Sequence, residues 1–321
     1  MRRNRWGAVH RGMWHALAPV AVWTLIASPQ VLIAEEPVQQ ATLVQPLPAT
    51  EPLPGSRDDE LAQARKRIRP VLNYARQTLK YVDNTVRDYE CMLVRRERID
   101  GVLSGYQHLQ MKIRHEQQHD DQARIPFAVY LKFLGPARYQ GREVLFVHGE
   151  NDGSMIARRG GSQLANMTLK LNPEGSLAMQ SNRYPVTEVG LRNLIVKLIE
   201  VMENDHGLEG CEVRFFKNSK INSRPCTHIQ VSYPQQREGL RFQRADVYID
   251  HKLKLPICFA SYYWPNKPGE DPQLLEEYVY SDLQLNVGLT DEDFNPRNPA
   301  YRFQLSDSDA GREPQPSPTK E

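Results

Sequence analysis

The residues best suited to catalysis by type and spacing are His115, Glu116 and His119, which match the pattern H-E-x-x-H. In zinc proteases the two histidines lie one helical turn apart and share a metal ion, and the glutamate is the base for the bound water. That geometry requires a helix. Here the motif follows a segment that alternates in polarity like a strand, and residues 120–126 favour a loop. Zinc hydrolysis through this site is therefore the third-ranked of three hypotheses.

Other catalytic patterns are missing from the sequence, which has no G-x-S-x-G, no P-loop and no dinucleotide fingerprint. The carboxylate pair Glu276–Glu277 and the acidic run 291–293 are predicted to lie on a solvated strand face and in a turn. The pair Gly160–Gly161 fits a loop, since no helix follows it to complete a phosphate cradle. We predict that the protein is not an enzyme and uses no cofactor.

Four cysteines leave the redox state open: Cys91, Cys211, Cys226 and Cys258. Four cysteines allow three pairings, and export would permit disulfides. Cys211 and Cys226 flank a predicted hairpin, so they form one candidate disulfide, and buried free thiols are the alternative. Without a C-x-x-C pattern, neither a structural zinc site nor a thiol-redox role is supported.

The N-terminus has the composition of a secretory signal. Four arginines precede a mostly apolar stretch, 16–33, and Ala34 stands before two glutamates. Residues 1–34 are predicted to be a signal peptide, so we expect an exported protein of the bacterial periplasm or cell envelope. Removing them removes four arginines and no acidic residue, which leaves 37 basic against 39 acidic residues. This balance does not favour nucleic acid, which requires a basic footprint.

Proline and serine content divides the rest of the chain. Residues 35–57 hold five prolines and are predicted to be a linker, and residues 304–321 are predicted to be a disordered tail. The folded body is expected to span 58–303 as one domain.

The elements of this body are predicted from apolar periodicity. A first helix is expected over 58–83, kinked or split at Pro70. Strands are expected over about 88–160 and 211–285, and Asp100–Gly101 marks a hairpin turn. Between them, a helix is expected over Thr187–Glu203, with Thr187 as its N-cap. Strands joined by short turns indicate an α+β protein with an antiparallel sheet, and one amphipathic helix that crosses it can enclose an apolar groove.

Several stretches resemble a secreted bacterial family of unassigned function, domain of unknown function 1571. They are Tyr89–Asp100, Phe127–Gly153, Asn182–Leu191, Ser223–Val231 and Leu255–Phe294. The resemblance covers about 86–303. Relative to the pattern of that family, residues 116–124 look like a loop insertion, which further weakens the zinc hypothesis.

The order of elements is also similar to the LolA-like superfamily of periplasmic lipoprotein carriers. Its closing stretch, Asn286–Phe294, is similar to a short ending that is common in that superfamily. The resemblance implies a strongly curved, incomplete antiparallel barrel with an N-terminal helix and with helices over its concave face. It also implies a cavity for acyl chains, although one fold can serve unrelated functions.

The leading hypothesis is a protein that binds a lipid or a lipoprotein acyl chain. The apolar wall candidates on the sheet and the helix are Leu131, Phe133, Val144, Phe146, Phe242, Tyr248, Leu194, Ile195, Leu198 and Met202. Arg142 and Arg183 stand beside turns and are candidates for a head group, with surface salt bridges as the alternative role. The second hypothesis is an envelope interaction module with a filled core, which binds protein or cell-wall polymer. We expect a monomer, and peripheral contact with a membrane stays open.

Overall fold

A computed structural model describes residues 57–118, 124–203, 210–237, 239–267 and 269–305. Within these ranges twelve strands form one antiparallel sheet. The strands are β1 (Asp88–Ile99), β2 (Val102–Leu103), β3 (Gln107–Arg114), β4 (Ala128–Gly135), β5 (Glu143–Val147), β6 (Met155–Arg158), β7 (Thr168–Leu171), β8 (Glu212–Ile221), β9 (Arg224–Ser232), β10 (Arg244–Asp250), β11 (Pro256–Tyr263) and β12 (Gln273–Leu285).

The sheet is curved and not closed. Its order is β7-β6-β5-β4-β3-β1-β12-β11-β10-β9-β8, and β2 pairs with the end of β1. Every neighbour pair is antiparallel, and β7 and β8 are the two edges. The β1–β12 pair joins the two halves of the chain at the centre of the sheet. The protein is therefore an α+β fold built on one large antiparallel sheet, as the sequence predicts.

The predicted hairpin at the start of the sheet is confirmed. Asp100 and Gly101 both have positive φ angles, 48° and 79°, which a two-residue hairpin turn of this kind requires. The alternation in β3 is also present, because Leu109, Met111 and Ile113 are almost fully buried on one face of the sheet.

Three α-helices accompany the sheet in the described ranges: α1 (Arg57–Thr85), α2 (Ser176–Met179) and α3 (Leu191–Glu203). The predicted split of the first helix is wrong, because α1 continues through Pro70 as one element. The predicted start of the central helix is also wrong. Thr187 lies in a separate 3-10 turn, Val186–Glu188, and α3 begins only at Leu191.

The two faces of the sheet have different covers. On the concave face α1 and α3 pack on apolar side chains of the strands, in two adjoining clusters. On the convex face the segment after β12 packs against β4, β5 and β6, where Tyr301 stacks on Tyr130 at 3.9 Å between ring centroids. Phe294, in the 3-10 turn Asp291–Phe294, is buried in the same cluster.

The boundaries of the folded body differ slightly from those predicted. Residues 304 and 305 belong to it, because the Gln304 amide donates to Thr168 and Leu305 packs in the convex cluster. Residues 1–56 and 306–321 lie outside the described residues, so the predicted signal peptide, most of the linker and most of the tail stay predictions. The helices that are described are too short or too polar to span a membrane.

Candidate functional site

The helix α3 lies over the sheet as a lid, and its first turn is fixed by a buried tyrosine of β1. Tyr89 is fully buried, and its hydroxyl accepts a hydrogen bond from the Leu191 amide at 2.9 Å. This bond satisfies one of the free amides at the start of the helix. Gly190 precedes it at φ 116°, where a Cβ atom would lie 2.7 Å from Ile113 and 2.9 Å from the Tyr89 hydroxyl. Only glycine therefore allows the lid to approach the sheet this closely.

Two ion pairs tie the lid to α1. Arg192 contacts Asp83 at 2.7 Å near the start of α3, and Glu203 contacts Arg76 at 2.7 Å at its end. Exposed pairs of this kind contribute about 0–1 kcal/mol each, so they orient the lid more than they stabilise the fold.

A central compartment of about 350 Å³ lies between the lid and the middle of the sheet. Its apolar walls come from both elements, with Leu194 and Leu198 from α3 facing Leu131 and Phe242. The volume is in the range of small-molecule sites, about 300–1,000 Å³. The concave face is therefore not completely filled by its own side chains.

Two further compartments with mainly apolar walls adjoin the central one. An inner compartment of about 60 Å³ lies toward α1 and shares Leu198, Val201 and Phe242 with it. An outer compartment of about 340 Å³ lies toward β7 and shares Leu131 and Val189 with it. The three compartments together form one groove along the concave face.

One wall of the central compartment carries charge. Glu97 of β1 and Glu276 of β12 are register partners, and both are almost fully buried. Like charges directly opposite each other destabilise a sheet unless other groups compensate. We call these two residues, with Arg95, Arg183 and Tyr278, the polar cluster.

Each carboxylate of the polar cluster is hydrogen-bonded. Glu97 accepts from the Tyr278 hydroxyl at 2.6 Å and lies 3.3 Å from the Arg95 guanidinium. Glu276 accepts from Arg183 Nε at 3.2 Å, and it also accepts from Ser261 and Tyr184. Two arginines thus balance two carboxylates, which is the condition for burying such charges.

Burial nevertheless dominates the acid–base behaviour of this wall. It raises the pKa of Glu276 above the usual glutamate value, against the opposing effects of Arg183, Ser261 and Tyr184. It also raises the pKa of the Tyr278 hydroxyl well above the usual value, and the Glu97 charge adds to that shift. Tyr278 therefore stays a hydrogen-bond donor at neutral pH.

Most of the predicted wall residues come together in the groove. The central compartment holds Leu131, Leu194, Leu198 and Phe242, the inner one holds Ile195, Leu198, Met202 and Phe242, and the outer one holds Leu131, Phe133 and Val144. Arg183 borders the central compartment and Arg142 the outer one.

Two predicted wall residues lie elsewhere. Tyr248 is on the convex face, where its ring stacks on His228 at 4.3 Å, because strand alternation sends Val247 and Ile249 to the concave side. Phe146 packs in the concave core but faces a separate polar pocket beside His115. Neither residue borders the groove.

The candidate disulfide between Cys211 and Cys226 is wrong. In the β8–β9 hairpin Cys226 stands opposite Ser219, which is eight residues from Cys211, or about 26 Å along a strand. A disulfide requires Cα atoms closer than about 7 Å. All four cysteines are buried free thiols. Burial raises the pKa of Cys211 and of Cys226 to about 11.

The described part of the H-E-x-x-H motif is not helical. Residues 115–118 form an extended loop in which Gln117 bridges Ile125, and His119 lies outside the described residues. His115 is buried, its Nδ1 lies 2.9 Å from the Val86 carbonyl, and burial lowers its pKa. Among the described residues no group of three or more histidines, cysteines or acids is placed to hold a metal ion.

Of the polar cluster, only Arg183 was predicted as part of a site, and the two buried carboxylates, Arg95 and Tyr278 were not. In β1 the inward positions run Cys91, Leu93, Arg95 and Glu97, so two charges follow two apolar residues at a spacing of two. Charged residues on the inward face of a strand were the available signal. Glu276, which the sequence places on a solvated face, is in fact only 3% exposed.

Three solved structures are similar to this chain. A putative outer membrane lipoprotein-sorting protein domain from Vibrio parahaemolyticus is 14% identical, with 72% of this chain and 97% of that chain covered and a TM-score of 0.33. A LolA superfamily protein from Nitrosomonas europaea is 12% identical, with 69% and 97% covered and a TM-score of 0.28. Lipoprotein LppX from Mycobacterium tuberculosis is 12% identical, with 69% and 98% covered and a TM-score of 0.37.

At these identities the likeness concerns the fold alone, and TM-scores below 0.5 support no functional argument. None of the curated proteins matches this chain in sequence. The function must therefore be inferred from the groove and its residues.

A family model described as "Protein of unknown function (DUF1571)" matches residues 86–303, about two thirds of the chain. All the described strands and the lid helix α3 lie inside the matched region, and α1 precedes it. The sheet and the lid of the groove are therefore features of the matched region itself. The resemblance predicted from the sequence is confirmed, and the chain belongs to the DUF1571 family.

Proposed function

We propose that this protein binds a hydrophobic ligand, a lipid or a lipoprotein acyl chain, in the groove between the sheet and α3. The observation that carries the proposal is the central compartment of about 350 Å³, which continues into the inner and outer compartments. A core that served stability alone would be packed to the density of an organic crystal, with few voids larger than a water molecule.

The driving force for such binding is the transfer of alkyl groups out of water. Each buried methylene contributes about 0.8 kcal/mol, so a chain of ten methylenes gains about 8 kcal/mol before the costs of ordering. The polar cluster adds hydrogen-bonding groups at one wall, which is the usual arrangement of a ligand site with apolar walls and a few polar groups. No catalytic step is needed for this function.

The cellular setting follows from the predicted signal peptide. An exported carrier in the periplasm or cell envelope would shield an alkyl chain from water between membranes or between protein partners. Its partners would then be the lipid or lipoprotein and the envelope proteins that load or unload it.

The test is a titration of the purified full chain, free of detergent, with the neutral fluorophore N-phenyl-1-naphthylamine, followed by competition with hexadecanol. We expect saturable binding with increased fluorescence, and displacement by hexadecanol at a stoichiometry near one. A folded protein that neither binds the fluorophore nor responds to hexadecanol would contradict the proposal.

One observation favours the interaction module as a second candidate. The edge strand β8 is ten residues long, and Phe215 on it is 46% exposed. An exposed edge can accept a strand from another chain, although Arg214 and Lys217 are charges of the kind that oppose such pairing. In this case Phe215→Glu would abolish partner binding and leave fluorophore binding in the groove unchanged.

A further inference from the structure

The outer compartment differs from the rest of the groove in its charge. Its floor is apolar and includes Phe133 and Val144, but four arginines also border it: Arg95, Arg142, Arg158 and Arg159. Among the described residues that line it, none is an aspartate or a glutamate. A concave site with several cations and no anion attracts a negatively charged ligand.

Two of these arginines already have hydrogen-bond or ion-pair partners within the protein. Arg95 contacts Glu97 at 3.3 Å and donates to Asn182 at 2.7 Å. Arg158 donates to the Gly141 carbonyl and to Asn166. Arg159 is exposed at the rim.

Arg142 is different, because its guanidinium has no carboxylate partner among the described residues. Its Nε donates to the Arg159 carbonyl at 3.2 Å, and the guanidinium carbon lies 5.5 Å from the Phe133 ring and 4.6 Å from the Tyr139 ring. Within the ranges that the structure describes, its two terminal nitrogens have no hydrogen-bond partner. Arg142 as a residue is half-buried and borders the compartment. Its terminal nitrogens form the planar fork that binds phosphate or carboxylate in two parallel hydrogen bonds.

The surroundings of Arg142 make its positive charge energetically costly. Burial lowers the pKa of its guanidinium, and the charges of Arg95, Arg159 and Arg138 lower it further. Arg95 also lies over the Phe133 ring, at 5.6 Å, so two cations share one aromatic ring. An anionic ligand would supply the counter-charge that this arrangement lacks.

The backbone holds this arginine in place through two glycines. Gly160 and Gly161 have φ angles of 67° and 73°, and a Cβ atom on Gly161 would lie 2.6 Å from the Arg138 carbonyl oxygen. A Cβ atom on Gly160 would clash with the backbone nitrogen of Arg142. The loop 138–142 is thereby packed directly against the glycine pair, which fixes the position of Arg142 at the compartment.

We propose that the outer compartment binds the anionic head group, phosphate or carboxylate, of an amphiphilic ligand whose alkyl chain lies in the central compartment, and that Arg142 binds this head group. The inference rests on the proposed function and specifies its ligand as an anionic amphiphile. The two compartments share Leu131 and Val189, so one molecule reaches both.

The test compares hexadecyl phosphate with hexadecanol in calorimetric titrations of the full chain without detergent. We expect the wild type to bind the phosphate about ten- to a hundredfold more tightly, and Arg142→Met to lose that preference while it retains hexadecanol binding. Arg142→Lys, which keeps the charge but not the fork, should retain part of it. The matched control is Arg214→Met on the opposite edge strand, β8, which should behave as wild type.

The outcomes separate the two proposals. Equal affinity for both ligands in the wild type, or an unchanged preference in Arg142→Met, would overturn the head-group assignment and leave the carrier function intact. Binding of neither ligand would overturn the carrier function itself. Inorganic phosphate that binds as tightly as hexadecyl phosphate would also overturn the assignment, because the site would then be one for a free anion.

Discussion

Leu198 is the position where a single substitution should divide the groove. Its side chain borders both the central and the inner compartment, together with Val201 and Phe242. In Leu198→Arg, a long cationic side chain would stand at this junction and place a charge where an alkyl chain must pass. Because the groove is open to solvent, the guanidinium can reach water, so we expect the fold to be retained.

The expected loss follows from the apolar surface that the ligand can no longer bury. The inner compartment, about 60 Å³ in volume, holds about two methylene groups, and excluding them at about 0.8 kcal/mol each removes about 1.6 kcal/mol of binding free energy. Since about 1.4 kcal/mol is a tenfold change, the affinity for hexadecanol should fall about 15-fold. Leu198→Met conserves volume and apolarity and should change the affinity by less than about threefold.

The assay is competition between hexadecanol and N-phenyl-1-naphthylamine, with thermal unfolding measured for each variant. The matched control is Glu200→Arg, which introduces the same side chain at an exposed position of the same helix. We expect weakened hexadecanol binding in Leu198→Arg and wild-type binding in Glu200→Arg. Wild-type affinity in a folded Leu198→Arg protein would refute the location of the ligand.

Three further predictions concern the fold. Gly160→Ala should lower the free energy of unfolding in urea by about 2–3 kcal/mol. Gly153 has a similar φ of 75° but open space around it, so Gly153→Ala should lower it by only about 1 kcal/mol. Equal losses would contradict the close packing of Gly160 against the backbone of Arg142. Because burial raises the pKa of Glu276, the free energy of unfolding should fall as pH rises from the ordinary glutamate pKa, about 4.3, through the raised one. Glu276→Gln should flatten this pH dependence, and an unchanged slope in that variant would contradict the assignment to Glu276. Ellman's reagent should leave Cys211 and Cys226 unreacted at pH 8 in the native protein and detect four thiols after unfolding without reductant; fewer would indicate a disulfide.

Local patterns in the sequence were sufficient to predict most of the elements that surround the groove. Asp100–Gly101 predicts its hairpin because few residue pairs tolerate two positive φ angles. The apolar stripe of α3 predicts most of its buried face, since Leu191, Ile195 and Met202 of that stripe are buried, but the buried Ile199 was not included in it. The short edge strand β7 was missed, because four residues with half-exposed side chains show no clear alternation.

The polar cluster depends on contacts that the sequence does not display. Glu97 and Glu276 are 179 residues apart and become neighbours only through the β1–β12 register. If the register shifted by one residue, Glu276 would lie on the solvated face of the sheet. That is the position that the sequence predicts for the carboxylate pair Glu276–Glu277. The predictions for Tyr248 and for the Cys211–Cys226 disulfide are wrong for the same reason. Their positions depend on which face of the strand a side chain occupies and on the register between strands, and composition determines neither.

Native mass spectrometry of the full chain, expressed for export and purified from a bacterial periplasm without detergent, would show whether the groove holds a lipid. We expect a folded protein that carries an additional mass, and organic solvent should release that mass as a lipid with an anionic head group. A folded protein observed only at its own mass, after purification from an envelope that contains such lipids, would contradict the proposed function.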